Sequence, residues 1–170
     1  MPIEYLSVVN KNDQVIAELP RNEIHAKGLC HRAVHVLVFN QQDELFLQKR
    51  SMKKDLNKGL WDTSAAGHVD AGEAYRDAAI RETQEELGID IKDTCQFLFK
   101  LSPTPQLGME FIEVYRCLNN GPFSLNSDEI DEGLWVSNES ISERISVNDP
   151  LLTETFKTIW RNHQQSVDIR

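Results

Sequence analysis

Three glutamates, Glu82, Glu85 and Glu86, crowd the stretch "RETQEELGI" at the spacing i, i+3 and i+4. On a helix that spacing puts three like charges on one face within two turns, and each pair costs roughly 0.2–0.5 kcal/mol in isolation. Glutamate-rich helix faces are usually solvated surface, but the neighbours here change the reading. Gly67 and Gly72 bracket a loop that runs into the helix. Glu73 stands at the helix entrance, where the macrodipole favours an anion. Arg81 precedes Glu85 by four residues and can partly neutralise the face. A divalent cation would relieve the remaining repulsion. Mg²⁺ takes hard oxygen ligands and commonly bridges a few carboxylates to phosphate oxygens.

The elements that must position these residues follow from periodicity. "EYLSVVNKNDQVIAEL" reads as two short strands around Asn10 to Asp13. "PRNEIHAKG" reads as a helical turn opened by Pro20 and closed by Gly28. "AVHVLVFNQQDELFLQKR" carries the strongest hairpin signal, turning at Asn40 to Asp43. A polar loop, "SMKKDLNKG", leads to a short apolar segment at Leu60 and Trp61. Residues 74 to 87 are good helix formers, with Ile80, Thr83 and Leu87 on the face expected to dock on a core, opposite the glutamates. Gly88 is the natural stop. "TCQFLFKLS", "EFIEVYRCL" and "GLWVS" read as strands, the first two separated by the Pro-stiffened "PTPQLGM". Ser137 sits where an N-cap would, and Asp149 with Pro150 suggests the cap and first position of a last helix carrying Leu152, Phe156, Ile159, Trp160 and His163. Strands interleaved with a few helices predict one layered α/β domain over residues 1–170, with 1–28 as an N-terminal hairpin extension.

The bulk properties exclude several classes. A net charge of −9 argues against a general nucleic-acid-binding surface. No apolar run is long enough to span a bilayer, and the N-terminus lacks a basic-then-apolar signal pattern. Cys30, Cys95 and Cys117 are odd in number, widely spaced and without a CxxC pair, as expected of free thiols in a reducing cytoplasm. A catalytic thiol is the minority role for such cysteines.

Residues 67–89 resemble the Nudix box, Gly-x5-Glu-x7-Arg-Glu-apolar-x-Glu-Glu-x-Gly-apolar. Gly67, Glu73, Arg81, Glu82, Glu85, Glu86, Gly88 and Ile89 match, and Thr83 is the one departure among nine specified positions. The resemblance implies a Nudix fold, a mixed β-sheet sandwiched between α-helices. It also implies Mg²⁺-dependent hydrolysis of a nucleoside diphosphate linked to another moiety, with Mn²⁺ as a substitute. Glu82, Glu85 and Glu86, helped by the backbone carbonyl of Ala66, are the implied metal ligands. Glu73 and Arg81 are the implied structural ion pair. Glu129, six residues before Trp135, matches a further catalytic glutamate of the antimutator branch, although an acidic surface loop would look the same.

"CHRAVHVLVFN" and "WDTSAAGHV" also resemble the branch that contains isopentenyl-diphosphate isomerase. His31 and His68 align with metal-binding positions of that enzyme, and His25 lies near a third; satisfied structural histidines would be the commoner role. The isomerase needs a cysteine where this chain has Ala66, which has no titratable proton. The expected activity is therefore hydrolysis on an isomerase-like frame, by attack of water on phosphorus. The general base is one of Glu82, Glu85, Glu86 or Glu129. Two alternatives stand beside it: an isomerase, and a catalytically silent module that binds a nucleotide or a protein.

Lys49 and Arg50, at the end of "ELFLQKR", are candidates for contact with the outer phosphate, as is His68 from its place beside the loop backbone and the metal. Trp61, Phe111 and Tyr75 are candidates for base stacking, although each is more often core. The loops 51–60 and 102–110 carry specificity for the small-molecule partner, and the N-terminal hairpin could serve a homodimer.

Overall fold

A computed structural model describes residues 2–168, so the ends of the expected 1–170 domain lie outside the described residues. The chain runs β1 (Tyr5–Val9), β2 (Val15–Pro20), α1 (Arg21–Lys27), β3 (His31–Phe39), β4 (Leu45–Arg50), β5 (Trp61–Asp62), β6 (Ala65–His68), α2 (Tyr75–Leu87), β7 (Gln96–Leu101), β8 (Glu110–Leu118), β9 (Ile130–Val136), α3 (Asn138–Ser146) and α4 (Glu154–Asp168). β1 and β2 form the N-terminal hairpin. The main sheet has the order β5-β4-β3-β8-β7, with β6 also on β3 and β9 also on β4. β3 and β8 run parallel and the other pairs antiparallel, so the sheet is mixed.

The hairpin expected from residues 33–50 survives only at its turn. β3 and β4 share the single pair Phe39–Leu45. β8 covers one edge of β3 along its whole length, and β6 takes the other edge from Ala33 to Val36. β4 turns away to pair with β9 and β5. The two strands therefore splay apart, and the Ser64 hydroxyl bridges them, accepting from the Val38 N–H at 2.8 Å and donating to the Phe46 carbonyl at 2.5 Å.

Two apolar layers flank the sheet. On one face Leu37, Phe39, Leu45 and Leu47 pack with Phe156, Ile159 and Trp160 of α4. On the other, Val34, Val36, Val38 and Phe46 pack with Ala78, Ala79 and Leu87 of α2. Residues alternate between the layers along β3, as the two-residue period of a strand requires. Leu6, Val8 and Ile24 form a small separate core under the N-terminal hairpin.

Thr83 is fully buried where the box pattern has an aliphatic residue. Its hydroxyl donates to the Ala79 carbonyl at 2.7 Å, so no polar group is stranded. Gly88 ends α2 in the left-handed region, and Ser137 caps α3 through the backbone N–H of Ser140. The last helix starts later than Asp149–Pro150 suggests. Asp149 instead accepts from the Leu151 N–H and from Arg144, while Thr153 Oγ1 accepts from the Phe156 N–H at 3.1 Å and caps α4. No helix among the described residues is long and apolar enough to cross a membrane.

Candidate active site

The acidic face of α2 is not a solvated surface. Glu85 is half exposed, but Glu86 is only 4% exposed and Glu82 is largely buried, because β6 lies across the helix at this point. Gly67 makes that approach possible: a Cβ there would sit 2.1 Å from the Glu82 carboxyl carbon. The expected division of α2 into an apolar docking face and an opposite acidic face is thus corrected, since Glu86 enters the buried seam beside Thr83 and Leu87.

Each carboxylate in the seam has assigned partners. Glu86 Oε1 accepts from the Ala66 N–H at 3.0 Å and from Gln48 Nε2 at 3.1 Å. Burial and the nearby Glu82 push the Glu86 carboxyl up to about 8. Burial also raises Glu82, to about 7, against the opposing pull of Arg81. Arg81 answers much of the repulsion within the cluster. Its guanidinium meets Glu73 in a two-bond fork, donates to Glu82 Oε1 at 2.9 Å and to Glu85 Oε2 at 3.3 Å, and caps the His68 carbonyl at 3.0 Å.

Arg81, Glu82, Glu85 and Glu86 line a cavity of about 750 Å³ that also takes in Ala66, Glu129, Arg50 and Lys54. Lys54 bonds Glu129, and Lys53 bonds Asp128 at 2.8 Å, so two ion pairs tie the 51–60 loop to the loop before β9. Arg50 lies near Asp62 at 3.7 Å and donates to the Leu56 carbonyl. Lys49 is outside the lining, since strand alternation turns it away from the face that Gln48 and Arg50 share. Among the described residues the lining contains no Phe, Tyr or Trp. Of the expected stacking residues, Tyr75 bonds Asp13 in the hairpin turn, Phe111 is buried and Trp61 packs on the α4 core.

A second polar cluster joins four elements, and three of its members, His25, His68 and Glu110, line the same cavity. His25 of α1, His31 of β3, His68 of β6 and Glu110 of β8 bring one ligand atom each within 4.8 Å of one another. His31 Nδ1 faces the Leu29 carbonyl at 2.8 Å and so carries its proton. Its Nε2 is buried without a hydrogen-bond partner and lies 3.4 Å from Glu110 Oε1. Although burial works the other way, the imidazoles of His68 and His31 beside it hold Glu110 well below the usual carboxylate range.

Sequence reasoning missed Gln48 and Glu110. The position of Glu110 opposite His31 depends on the parallel β3–β8 register, and that of Gln48 on the packing of β4 against α2; neither leaves a local signal. Cys95 and Cys117 are buried free thiols, and burial pushes Cys117 up to about 12, far from a nucleophile's range.

The model of the NUDIX domain matches residues 30–156. An uncharacterized Nudix hydrolase of Yersinia pestis is 33% identical, over 96% of this chain and 90% of its own length. Among solved structures, DR0079 from Deinococcus radiodurans is 27% identical, with a TM-score of 0.83 over 94% of this chain and 98% of that one. The NUDIX domain of Shewanella oneidensis NrtR, complexed with ADP ribose, shares the fold at 14% identity, with a TM-score of 0.63 over 88% of this chain and 99% of that one. With the box residues gathered at one seam and these relatives spanning nearly the whole chain, the sequence belongs to the Nudix family and is a Nudix hydrolase.

Proposed function

We propose that the enzyme hydrolyses the phosphoanhydride of a nucleoside diphosphate linked to another moiety, with Mg²⁺ as cofactor and Mn²⁺ as its substitute. One observation carries the metal assignment. Glu82 and Glu86 are two buried carboxylates whose affinity for protons is raised by burial, in a cavity that also holds Glu85 and Glu129. Like charges buried together are costly unless a cation compensates them. The donors, all hard oxygens, suit magnesium. Glu82, Glu85 and Glu86, with the Ala66 carbonyl, would hold it. When bound, it supplies charge neutralisation of the phosphoryl group, which an acidic cavity cannot provide.

The chain's own residues do the rest. Arg81 fixes Glu82 against β6, and Ala66 and Gln48 fix Glu86. Arg50 and Lys54 offer positive charge to the outer phosphate, with His68 at the cavity edge. The attacking water loses its proton to a carboxylate of this set. Of the set, Glu129 lies outside α2 and is paired with Lys54. Lys49 takes no part in this reading.

The His25, His31, His68 and Glu110 cluster fits a second ion, of a kind that accepts imidazole nitrogen. The reason is electrostatic: His31 Nε2 and Glu110 Oε1 face each other with lone pairs unless a proton or a metal lies between them. An isomerase reading finds no support at Ala66, whose methyl group cannot move a proton. A silent binding module would have no use for paired buried glutamates. A homodimer would use the exposed Val15 and Ile16 of β2, a strand that among the described residues pairs only with β1. Free thiols are in keeping with a cytoplasmic location.

The test is hydrolysis of a panel of nucleoside diphosphates and their conjugates, with both products identified by mass. Activity should require Mg²⁺ or Mn²⁺, vanish with EDTA and return on metal addition. No product from any of the panel under saturating metal would overturn the reading, and conversion of isopentenyl to dimethylallyl diphosphate would replace it.

A further inference from the structure

Gln48 belongs to no box motif and lies 38 residues before Glu86 in sequence. It sits on β4 where that strand has parted from β3, and it is 3% exposed. Its amide nitrogen reaches Glu86 Oε1 at 3.1 Å and the Ser64 carbonyl at 3.3 Å, so both N–H groups are used. The Ala66 N–H reaches the same Glu86 oxygen at 3.0 Å. Two donors from different elements therefore converge on Oε1. Oε2 receives no hydrogen bond from the described residues.

We propose that Gln48 is a positioning residue that locks the Glu86 carboxylate so that Oε2 alone is presented to the cation; this rests on the reading of Glu86 as a metal ligand. The physical basis is geometric. A carboxylate pinned by one donor can still turn about its terminal torsion, which is broad and soft. A second donor on the same oxygen fixes its plane. Gln48 also ties β4 to the segment before β6, across the gap left by the strand splay. Glutamate at this position would place a second carboxylate against Glu86, and an aliphatic residue would leave a buried charge with one donor. Amide nitrogen is the group that satisfies both Glu86 and Ser64.

The experiment measures Mn²⁺ binding from the free-ion electron paramagnetic resonance signal, for the wild-type residue and Gln48→Met, both in a His31→Ala background so that the histidine cluster does not contribute. Methionine keeps the volume and removes the donor. Loss of such a supporting bond commonly weakens metal affinity by about 10- to 100-fold, and that range is expected here. The Mn²⁺ concentration that half-activates hydrolysis should rise by the same factor. A purely structural role would instead lower the melting temperature without moving metal affinity. The Mn²⁺-induced rise in melting temperature gives a second readout, usable even if the variant is destabilised. Wild-type Mn²⁺ affinity in Gln48→Met overturns the positioning role alone. Absence of Mn²⁺ binding in the wild type overturns the metal site itself, and this proposal with it.

Discussion

Arg81 and Glu73 meet through two parallel hydrogen bonds, Nε to Oε2 at 2.8 Å and Nη2 to Oε1 at 2.9 Å. The same guanidinium reaches forward to Glu82 and back to the His68 carbonyl. One cation thus ties the entrance of α2, its acidic face and the end of β6 together. Forked pairs of this kind are stronger and more directional than neutral hydrogen bonds. Arg81→Ala should therefore lose about 1–3 kcal/mol of stability as well as most of the turnover. Thermal melting and steady-state kinetics on the same preparation check both, and a rate effect with no change in melting would remove the structural role.

The raised carboxyls of Glu86 and Glu82, near 8 and 7, make a prediction about pH. Each native-state value lies above the usual glutamate value, so between roughly pH 4.5 and 8 the folded protein binds more protons than the unfolded chain. Stability of the metal-free protein should fall as pH rises through that window. Between pH 6.5 and 8 the slope should be on the order of 1 kcal/mol per pH unit. Below pH 6.5 buried His35, whose affinity for protons is lowered chiefly by burial, works in the opposite direction. Denaturant melts across this range, with and without Mg²⁺, test it. Glu86→Gln should flatten the slope, leave stability equal or higher at pH 8, and abolish most turnover. Full activity of that variant in saturating Mg²⁺ would eliminate Glu86 as a ligand.

Gly67 is predicted to tolerate no side chain. Its backbone φ is outside the left-handed region, so the limit is space: the added Cβ would strike the Glu82 carboxyl at 2.1 Å and its two oxygens at 2.2 and 2.5 Å. Gly67→Ala should displace Glu82 or part β6 from α2, at about 1–3 kcal/mol for overpacking, with a large loss of turnover. Turnover at the wild-type level, combined with a normal melting temperature, would mean that Glu82 has room to move without consequence.

At the histidine cluster, metal content is the direct measure. Protein dialysed against trace Zn²⁺ or Mn²⁺ and analysed by mass spectrometry of the elements should retain an ion that His31→Ala and Glu110→Gln lose. Glu86→Gln should retain it, because the two clusters share no ligand. Equal metal content in wild type and His31→Ala would leave the cluster as a hydrogen-bonded structural group.

Much of this molecule was readable from local pattern. The box spacing identified the family, the i, i+3, i+4 glutamates required an unusual environment, and Gly28, Gly88 and Ser137 end or start helices where their chemistry says they should. Those inferences rest on interactions within a few residues along the chain, which periodicity and capping preferences encode directly. The tertiary structure alone decided the rest. It opened the β3–β4 hairpin, because β6 and β8 claim both edges of β3. It drew Glu86 out of solvent into the seam under β6, beside a glutamine from a strand 38 residues earlier. It set Glu110 against three histidines from three other elements. Each of these depends on which distant strand lies beside which, and backbone pairing is nearly blind to side-chain identity, so no local stretch of sequence could have specified it.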